Sequence, residues 1–167
     1  INVLNKNNLI ELENALDFGS GLGTLGRILH KYFNKTLSLY DPYMQLPELE
    51  EFYISSPSSG KFDLVICSAL FEHLFTRSSF DQINDLVSET GCLMIHTVIC
   101  ENIPKDPEWF YLDVPVHCSF HTNKSMSVLM EDWGYKSSVY CPSAKSWILF
   151  KTDSNLKEKV TEINNLL

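Results

Sequence analysis

Residues 14–26 are NALDFGSGLGTLG, a short apolar segment followed by closely spaced glycines and then by the beginning of a helical repeat. From residue 25 onward, apolar side chains recur with the spacing of one buried helix face, at Leu25, Ile28, Leu29, Tyr32 and Phe33. The stretch therefore predicts a strand, a loop and a helix, with the glycines at the helix N-terminus. Unpaired backbone N–H groups and the positive end of the helix dipole gather there, and glycine lets a ligand approach the backbone. This combination favours a nucleotide-like ligand.

The loop matches two ligand-binding motifs, of which the first is the dinucleotide fingerprint. Gly21, Gly23 and Gly26 form a formal G-x-G-x-x-G. Asp41 follows about 20 residues later, where it can bond a ribose. A dinucleotide fold usually continues its apolar strand up to the glycines, whereas here Asp17 precedes them. An NAD(P)-dependent oxidoreductase is therefore an alternative interpretation, and a glycine-rich turn that binds no ligand is another.

The second motif is Asp17-x-Gly19-x-Gly21-x-Gly23, which resembles the first motif of the class I S-adenosylmethionine-dependent methyltransferases. In that family the acid helps to hold the cationic methionine end of the cofactor, for which a dinucleotide phosphate site has no use. We favour this motif because it accounts for Asp17. The resemblance implies S-adenosyl-L-methionine as the cofactor. It also implies cofactor contacts from Asp17, Gly19, Ser20, Gly21 and Gly23.

A second strand is predicted over Thr36–Tyr40, where apolar and polar residues alternate up to Asp41-Pro42. An acid at the carboxyl end of such a strand lies in the crevice where open α/β sheets bind ligands, and it can accept from both hydroxyls of a ribose. We therefore predict that Asp41 and Pro42 contact the cofactor. The alternative is that Asp41 only forms an Asp-Pro turn.

Residues 42–61 contain prolines at 42, 47 and 57, which leave no room for a full helix with its loops. The pattern predicts a short strand over Glu51–Ser55. Many methyltransferases of this class have a helix here, and an acid beyond it that meets the adenine amino group. Neither is evident in this sequence. A methyltransferase-like module that binds without catalysis is therefore a further alternative.

The run Phe62–Cys67 is apolar apart from Asp63 and has a β-branched centre, which is typical of a strand buried on both faces. The segment SALFEHL that follows resembles the motif after the fourth strand of the methyltransferase family. Because the carboxyl end of a central strand faces the ligand cleft, Ser68 and Ala69 are predicted to contact the cofactor. Glu72 and His73 are predicted to be catalytic residues on the substrate side. The alternatives are a Glu72 that caps or pairs, and a His73 at the surface.

The rest of the chain completes an α/β pattern. A helical face at Phe80 and Ile83 precedes another apolar strand, Cys92–Ile99. Strands at Tyr135–Tyr140 and Ser146–Lys151 are joined by too few residues for a parallel crossover and must form an antiparallel hairpin. The prediction is a Rossmann-like sheet of seven strands, mostly parallel, with a C-terminal antiparallel hairpin and helices on both faces. An all-parallel sheet would favour the oxidoreductase.

Residues 100–121 are predicted to form a long loop on the ligand side of the sheet, and loops of this length are usually functional. The segment PVHCSFHT in this loop resembles a pattern found before the next helix in methyltransferases that act on small molecules and sugars. That resemblance makes His117 a second candidate for proton handling. Trp109, Phe110 and Tyr111 are predicted to form one wall of the acceptor pocket. The alternative is that they pack under the loop as a satellite core.

The histidines and cysteines give little support for a metal. Zinc could bind His117, Cys118 and His121, but a closed zinc site needs about four ligands and the sequence offers no convincing partner pair. We therefore predict no metal. The five cysteines are odd in number and contain no C-x-x-C pair, which indicates reduced thiols and a cytoplasmic location.

Composition sets the broad class. The chain of 167 residues fits one domain, 1–167, and no run approaches the ~18 to 20 apolar residues of a membrane span. A net charge of −8 argues against nucleic acid, whose phosphates attract clustered Lys and Arg. Taken together, the patterns predict an S-adenosylmethionine-dependent methyltransferase that acts on a small molecule such as a sugar or glycan precursor, and they leave the oligomeric state open.

Overall fold

The computed structural model describes residues 1–57, 61–152 and 156–166. The chain forms the strands β1 (Ala15–Phe18), β2 (Ser38–Tyr40), β3 (Phe62–Ser68), β4 (Val87–His96), β5 (Ser137–Cys141) and β6 (Ser146–Phe150). The α-helices are α1 (Asn2–Lys6), α2 (Thr24–Phe33), α3 (Arg77–Asn84), α4 (Asn123–Asp132) and α5 (Leu156–Leu166). Short 3₁₀ helices cover Pro47–Phe52 and Phe71–His73. Within these ranges, the helices are too short or too polar to cross a membrane.

The strands form one sheet of mixed direction, in the order β2-β1-β3-β4-β6-β5. The four strands β2, β1, β3 and β4 are parallel neighbours. By contrast, β6 runs antiparallel to both β4 and β5. The predicted C-terminal antiparallel hairpin is therefore present, and the sheet is not the all-parallel one that would favour an oxidoreductase.

Over the residues that the structure describes, the sheet has six strands and not the seven that were predicted. The segment predicted as a strand, Glu51–Ser55, overlaps the end of the 3₁₀ helix Pro47–Phe52. Beyond this helix, Tyr53 makes a single parallel bridge to Leu39 of β2. The 3₁₀ helix forms because the fixed φ of proline suits a helix start, and its buried Leu49 packs against the rest of the domain. Too few residues remain for a seventh strand in the described part of this segment.

Helices cover both faces of the sheet, as the alternation along β3 shows. Val65 packs in one apolar cluster with Phe80 of α3. Its neighbour Ile66 packs in a second cluster with Leu29 of α2 and Leu156 of α5. Successive side chains of a strand point to opposite faces, so the two clusters lie on the two sides of the sheet. The carboxyl ends of the parallel strands then form the ligand crevice of an open α/β sheet.

Helix α2 packs on the sheet through a narrower face than its sequence pattern predicts. Leu29 is buried, but Ile28, Tyr32 and Phe33 are 44%, 67% and 41% exposed. A Cβ added to Gly26 would lie only 3.0 Å from a leucine side chain of β2. The helix therefore approaches the sheet along the line of Gly26 and Leu29. This orientation leaves three side chains of the predicted buried face at the surface.

Candidate active site

The glycine loop, residues 19–23, connects β1 to α2 and has a left-handed backbone at each of its glycines. The angle φ is 75° at Gly19, 52° at Gly21 and 62° at Gly23, values that residues with a Cβ rarely adopt. The backbone N–H groups of Gly19 and Ser20 donate to the carbonyl oxygen of Tyr40 over 2.8 and 3.1 Å. The loop is thus fixed to the end of β2 and leads directly into α2.

The three glycines differ in what surrounds them. A Cβ on Gly23 would lie 2.6 Å from Leu49 Cδ1, and one on Gly19 would lie 3.1 Å from Leu70 Cδ2. A Cβ on Gly21 would meet no atom of the described part of the chain within 4 Å. Gly19 and Gly23 are therefore needed for packing, whereas Gly21 faces open space that a ligand can enter.

Asp17 lies on β1, just before the glycine loop, and only 2% of it is exposed. Burial raises the pKa of its carboxyl group to about 7, with a further contribution from the negative charge of Asp41. In the part of the chain that the structure describes, the ion pairs do not include Asp17. A buried carboxylate is stable in its charged form when a cation pairs with it. The position therefore suits a positively charged group of a ligand.

The hydroxyl oxygen of Ser20 is buried and has no hydrogen-bond partner among the described residues. A buried hydroxyl without a partner is unfavourable, and such a group commonly indicates a missing ligand or water. The methionine end of S-adenosylmethionine carries an ammonium group, which Asp17 would pair, and a carboxylate, which can accept from Ser20. The residues of the loop therefore fit the predicted cofactor.

Asp41 organises the loop through its carboxylate. Its Oδ2 accepts from the backbone N–H of Gly21 over 2.8 Å. Its Oδ1 accepts from the N–H groups of Tyr43 and Met44 over 2.9 and 3.0 Å. Asp41 thus forms the turn that was its alternative role, and Pro42 is exposed within that turn. Because a carboxylate has about four acceptor positions, one remains for a ribose hydroxyl.

The carboxyl end of β3 lies next to the glycine loop. Ser68 is exposed there, and its Oγ lies 3.4 Å from Nδ1 of His96 at the end of β4. Ala69 has a positive φ of 53° and donates its N–H to the carbonyl oxygen of His96 over 2.9 Å. This turn places Leu70 against Gly19. The turn that carries Ser68 and Ala69 is therefore packed against the glycine loop through Leu70.

Glu72, which was predicted to lie on the substrate side, is buried, with 4% exposure. The hydroxyl of Thr97 donates to Glu72 Oε2 over 3.0 Å, and the hydroxyl of Tyr111 lies 3.1 Å from Thr97 Oγ1. Thr97 follows the end of β4 and was not predicted as a site residue. The available signal was a polar residue among the apolar residues at the carboxyl end of a central strand.

His73 and His117 lie side by side, with ring centroids 4.9 Å apart. Nδ1 of His73 lies 3.2 Å from the carbonyl oxygen of Val116, and Nδ1 of His117 lies 2.8 Å from that of Tyr111. A carbonyl oxygen only accepts, so each Nδ1 carries a proton and, in the neutral ring, each Nε2 has a free lone pair. One ligand atom from each of Glu72, His73 and His117 lies within 4.8 Å of the others. We call these three residues the Glu–His–His cluster.

The three possible zinc ligands, His117, Cys118 and His121, have different surroundings. His121 is buried against the rings of Phe71 and Phe80, at centroid distances of 5.9 and 5.8 Å. Its Nε2 lies 3.4 Å from the carbonyl oxygen of Phe71, and burial lowers its pKa. His117 instead faces His73. The cysteines, including Cys118, are free thiols.

The three aromatic residues predicted as a pocket wall have different environments. Tyr111 is 4% exposed and packs on His117 at a centroid distance of 4.4 Å. Trp109 is half-buried and contacts the ring of Tyr111 at 5.4 Å. Phe110 is 64% exposed. The group therefore combines a buried residue beneath the loop with an exposed residue that is free to meet an acceptor.

The mixed sheet and the glycine loop together define an α/β domain of the methyltransferase type. A family model described as a methyltransferase domain matches residues 4–137, and the chain therefore belongs to the methyltransferase domain family. This match confirms the predicted class of S-adenosylmethionine-dependent methyltransferases, and S-adenosylmethionine as the cofactor. No curated protein matches the sequence significantly.

Solved structures share the fold at low sequence identity. An O-methyltransferase family protein from Burkholderia thailandensis is 18% identical, with a TM-score of 0.59 over 81% of this chain and 49% of that one. Magnesium protoporphyrin IX methyltransferase from Synechocystis PCC 6803, with bound S-adenosylhomocysteine, is 17% identical, with a TM-score of 0.52 over 88% and 76%. A methyltransferase from Thiobacillus denitrificans in complex with S-adenosylhomocysteine is 14% identical, with a TM-score of 0.53 over 83% and 64%. The chain thus spans about half the length of the first of these structures.

Proposed function

We propose that this domain transfers a methyl group from S-adenosylmethionine to a small-molecule acceptor. The observation that carries the proposal is the buried carboxylate of Asp17, which takes part in none of the ion pairs of the described residues. The negative charge of Asp41 acts on this carboxylate, and Asp41 in turn holds the backbone of Gly21, which faces open space. This arrangement suits a ligand with a positive charge at one end. The methyltransferase family of the chain supports the same cofactor.

The residues on the cofactor side of the site bind and orient S-adenosylmethionine. When bound, S-adenosylmethionine supplies a methyl group on a positively charged sulfur. Asp17 pairs with the ammonium group of the ligand, and Ser20 gives its hydroxyl to the ligand carboxylate. Asp41 holds the backbone of Gly21 in place and has one acceptor position left for the ribose. Alignment of this kind supplies much of the rate of a displacement reaction.

The acceptor side lies at the Glu–His–His cluster. The cluster receives the nucleophilic group of the acceptor and assists the loss of its proton when the acceptor is a hydroxyl or an acidic carbon. The exposed ring of Phe110 and the half-buried ring of Trp109 lie on the same loop as His117. Aromatic rings stack well on sugars and other rings, which supports a sugar or glycan precursor as the acceptor.

Two further properties belong to the proposal. The net charge of −8 supports a small molecule rather than nucleic acid as the acceptor. The five free cysteines support a reducing compartment such as the cytoplasm.

The proposal is tested by comparing ligands in calorimetric titration and thermal unfolding. S-adenosylmethionine and S-adenosylhomocysteine should bind and raise the Tm, because a ligand that binds only the folded state stabilises it by mass action. NAD and NADP should do neither. Stabilisation by a nicotinamide cofactor instead would contradict the proposal.

Turnover is measured separately, with labelled S-adenosylmethionine and a panel of activated sugars and small aglycones. Transfer of label to a small molecule is the expected result. Cofactor binding without transfer to any acceptor would favour the inactive binding module. Transfer to nucleic acid or protein alone would exclude the proposed acceptor class.

A further inference from the structure

We propose that the Glu–His–His cluster binds a divalent transition metal ion, with Zn²⁺ as the reference metal, and that this ion holds the acceptor hydroxyl. The proposal rests on the proposed function, because it describes how the acceptor side of that site works. One ligand atom from each of Glu72, His73 and His117 lies within 4.8 Å of the others. Two imidazoles and a carboxylate are a ligand set of catalytic zinc sites, in which three protein ligands leave one position open.

Each ligand of the cluster is oriented by a second group. Thr97 donates its hydroxyl to Glu72 Oε2 over 3.0 Å, which fixes the orientation of the carboxylate. The Nδ1–H groups of His73 and His117 donate to backbone carbonyl oxygens at 3.2 and 2.8 Å. Metal-binding histidines almost always donate their other ring N–H in this way, which fixes the ring orientation and raises the basicity of the ligand nitrogen.

The charge balance of the cluster points to a cation. Glu72 is 4% exposed. Within the described ranges, the ion pairs join Glu13 to Lys35 and Arg77 to two aspartates, and none involves Glu72. A buried carboxylate without a positive partner is costly. A divalent ion between Glu72 and two neutral imidazoles would supply that partner.

The cluster has to contract slightly when it binds the metal. Zinc–ligand bonds of about 2.0 to 2.2 Å place tetrahedral ligand atoms about 3.4 Å apart, whereas the cluster allows separations of up to 4.8 Å. His73 ends the single-turn 3₁₀ helix Phe71–His73, and His117 lies in the loop between β4 and α4. Small side-chain rotations at these positions close the gap without disturbing the sheet.

The metal would lower the pKa of a coordinated acceptor hydroxyl, as zinc does for bound water. The hydroxyl proton passes to solvent water. The acceptor oxygen then forms a bond to the methyl carbon while the carbon–sulfur bond breaks, and the electron pair of that bond stays on sulfur. One methyl ether, one thioether and one proton result. The histidines act through the metal in this arrangement and remain unprotonated at Nε2.

The first test measures Zn²⁺ affinity by competition with a chromophoric chelator. The wild type should bind one equivalent, and Glu72→Gln, His73→Asn and His117→Asn should each lose more than about 100-fold in affinity. His30→Asn is the matched control, because His30 is an exposed histidine on α2 that packs against Phe52 at 5.5 Å, outside the cluster. Its affinity should equal that of the wild type. Equal affinities for all variants would overturn the proposal.

A second comparison excludes adventitious binding at the surface. Cys118 is exposed and adjacent to His117, so a zinc ion held by these two residues would be lost in Cys118→Ser and kept in Glu72→Gln. The proposed site predicts the opposite pattern. Thr97→Val removes only the hydrogen bond that orients Glu72, and it should lower affinity by about 10 to 100-fold.

A readout other than affinity covers variants with impaired folding. Co²⁺ in the wild type should give the intense visible absorption of a four- or five-coordinate ion, and Glu72→Gln should lose that absorption while its far-ultraviolet circular dichroism stays native. If the folded wild type lacks this absorption and also fails to bind Zn²⁺, the proposed metal site is wrong. If the protein binds S-adenosylmethionine and no metal, the proposed function stands and the metal site is wrong. If it binds metal and no S-adenosylmethionine, the metal site stands and the proposed function is wrong.

Discussion

The glycine loop takes its functional groups from one short segment, whereas the Glu–His–His cluster joins residues from separate parts of the chain. Asp17 lies near the end of β1, and Ser20 and Gly21 belong to the turn that follows it and leads into α2. Glu72 and His73 follow β3, and His117 lies in the loop after β4. The first region is built by local backbone conformation. The second depends on the sheet register and on the path of the long loop, so the two regions should respond differently to substitution.

The two regions also differ in how a buried carboxylate is supported. Asp41 accepts three backbone N–H groups and holds the glycine loop, which leaves Asp17 beside it as the unpaired acid. Glu72 is instead linked to Thr97 and, through it, to Tyr111. Cofactor binding should therefore depend on the charge of Asp17. Turnover should depend on the hydrogen-bond network around Glu72.

The largest effect is expected for His73→Ala and His117→Ala. Removing a group that handles the acceptor proton commonly lowers the rate by ~10² to 10⁴-fold. Neither histidine contacts the glycine loop in the hydrogen bonds or ring contacts described. The Kd for S-adenosylmethionine should therefore change by less than about twofold, as calorimetry would show. Single-turnover methyl transfer gives the rate.

The same pair of variants tests whether the glycine loop and the Glu–His–His cluster act separately. If either variant loses cofactor affinity as strongly as it loses turnover, the two regions are coupled and the cluster is not a separate acceptor site. If both keep full turnover on a hydroxyl acceptor, catalysis rests on alignment alone.

The second effect concerns the pH dependence of cofactor affinity. The pKa of Asp17 is raised to about 7 without ligand, and a cationic ligand binds the ionised form. Below pH 7, binding must release the proton, so affinity should fall by up to about tenfold per pH unit, or about 100-fold between pH 8 and pH 5. Asp17→Asn should bind more weakly at pH 8 and show little of this dependence. A titration series at four pH values tests both statements.

Stability of the ligand-free protein should follow the opposite trend. Because the folded pKa of Asp17 lies above its ordinary value of 3.8, its contribution is complete below about pH 4 and is lost as pH rises through about 7. Asp17→Asn carries no charge to bury. At pH 8 it should therefore be more stable than the wild type by about 2 to 4 kcal/mol in urea unfolding, and at pH 4 the difference should be small. If Asp17→Asn is less stable than the wild type at both pH values, the burial of the Asp17 carboxylate does not destabilise the folded protein as assumed.

The third effect separates two glycines of the same loop. Both Gly21→Ala and Gly23→Ala force a Cβ into a left-handed backbone, which costs about 1 to 2 kcal/mol. Only Gly23→Ala adds a clash, at 2.6 Å from Leu49, and it should lose a further 1 kcal/mol or so of folding stability. Gly21→Ala fills open space, and it should lose about tenfold in S-adenosylmethionine affinity. If Gly21→Ala loses more stability in urea unfolding and Gly23→Ala loses more affinity in calorimetry, the ligand does not bind at Gly21.

The difference between the regions explains what the sequence could predict. The conformation of segment 14–26 is determined by its own residues, because glycines with positive φ and a helix start are local properties. The loop and its motif could therefore be predicted from the sequence. The hairpin of β5 and β6 followed from the short connection between them. The predicted seventh strand, Glu51–Ser55, was wrong because the 3₁₀ helix Pro47–Phe52, held by the buried Leu49, includes its first two residues.

The Glu–His–His cluster was only partly predictable. Glu72, His73 and His117 were each singled out, but their meeting depends on the path of a loop without regular hydrogen bonding. Thr97 was missed because its role exists only once Glu72 lies opposite the end of β4. The buried face of α2 was predicted too wide, since helical periodicity alone does not show how far Gly26 lets the helix approach the sheet.

The smallest effect is expected for Phe110→Ala, which tests the aromatic wall on the acceptor side. Phe110 is 64% exposed, so its loss should change the free energy of unfolding by less than about 0.5 kcal/mol. If its ring stacks on the acceptor, the acceptor KM should rise by about 3 to 10-fold while the cofactor Kd stays constant. Tyr32→Ala is the matched control, because Tyr32 is a similarly exposed aromatic residue, at 67%, on α2. It should leave KM unchanged. A KM for Phe110→Ala equal to that of the control would remove Phe110 from the acceptor wall and leave Trp109 and Tyr111 as packing beneath the loop.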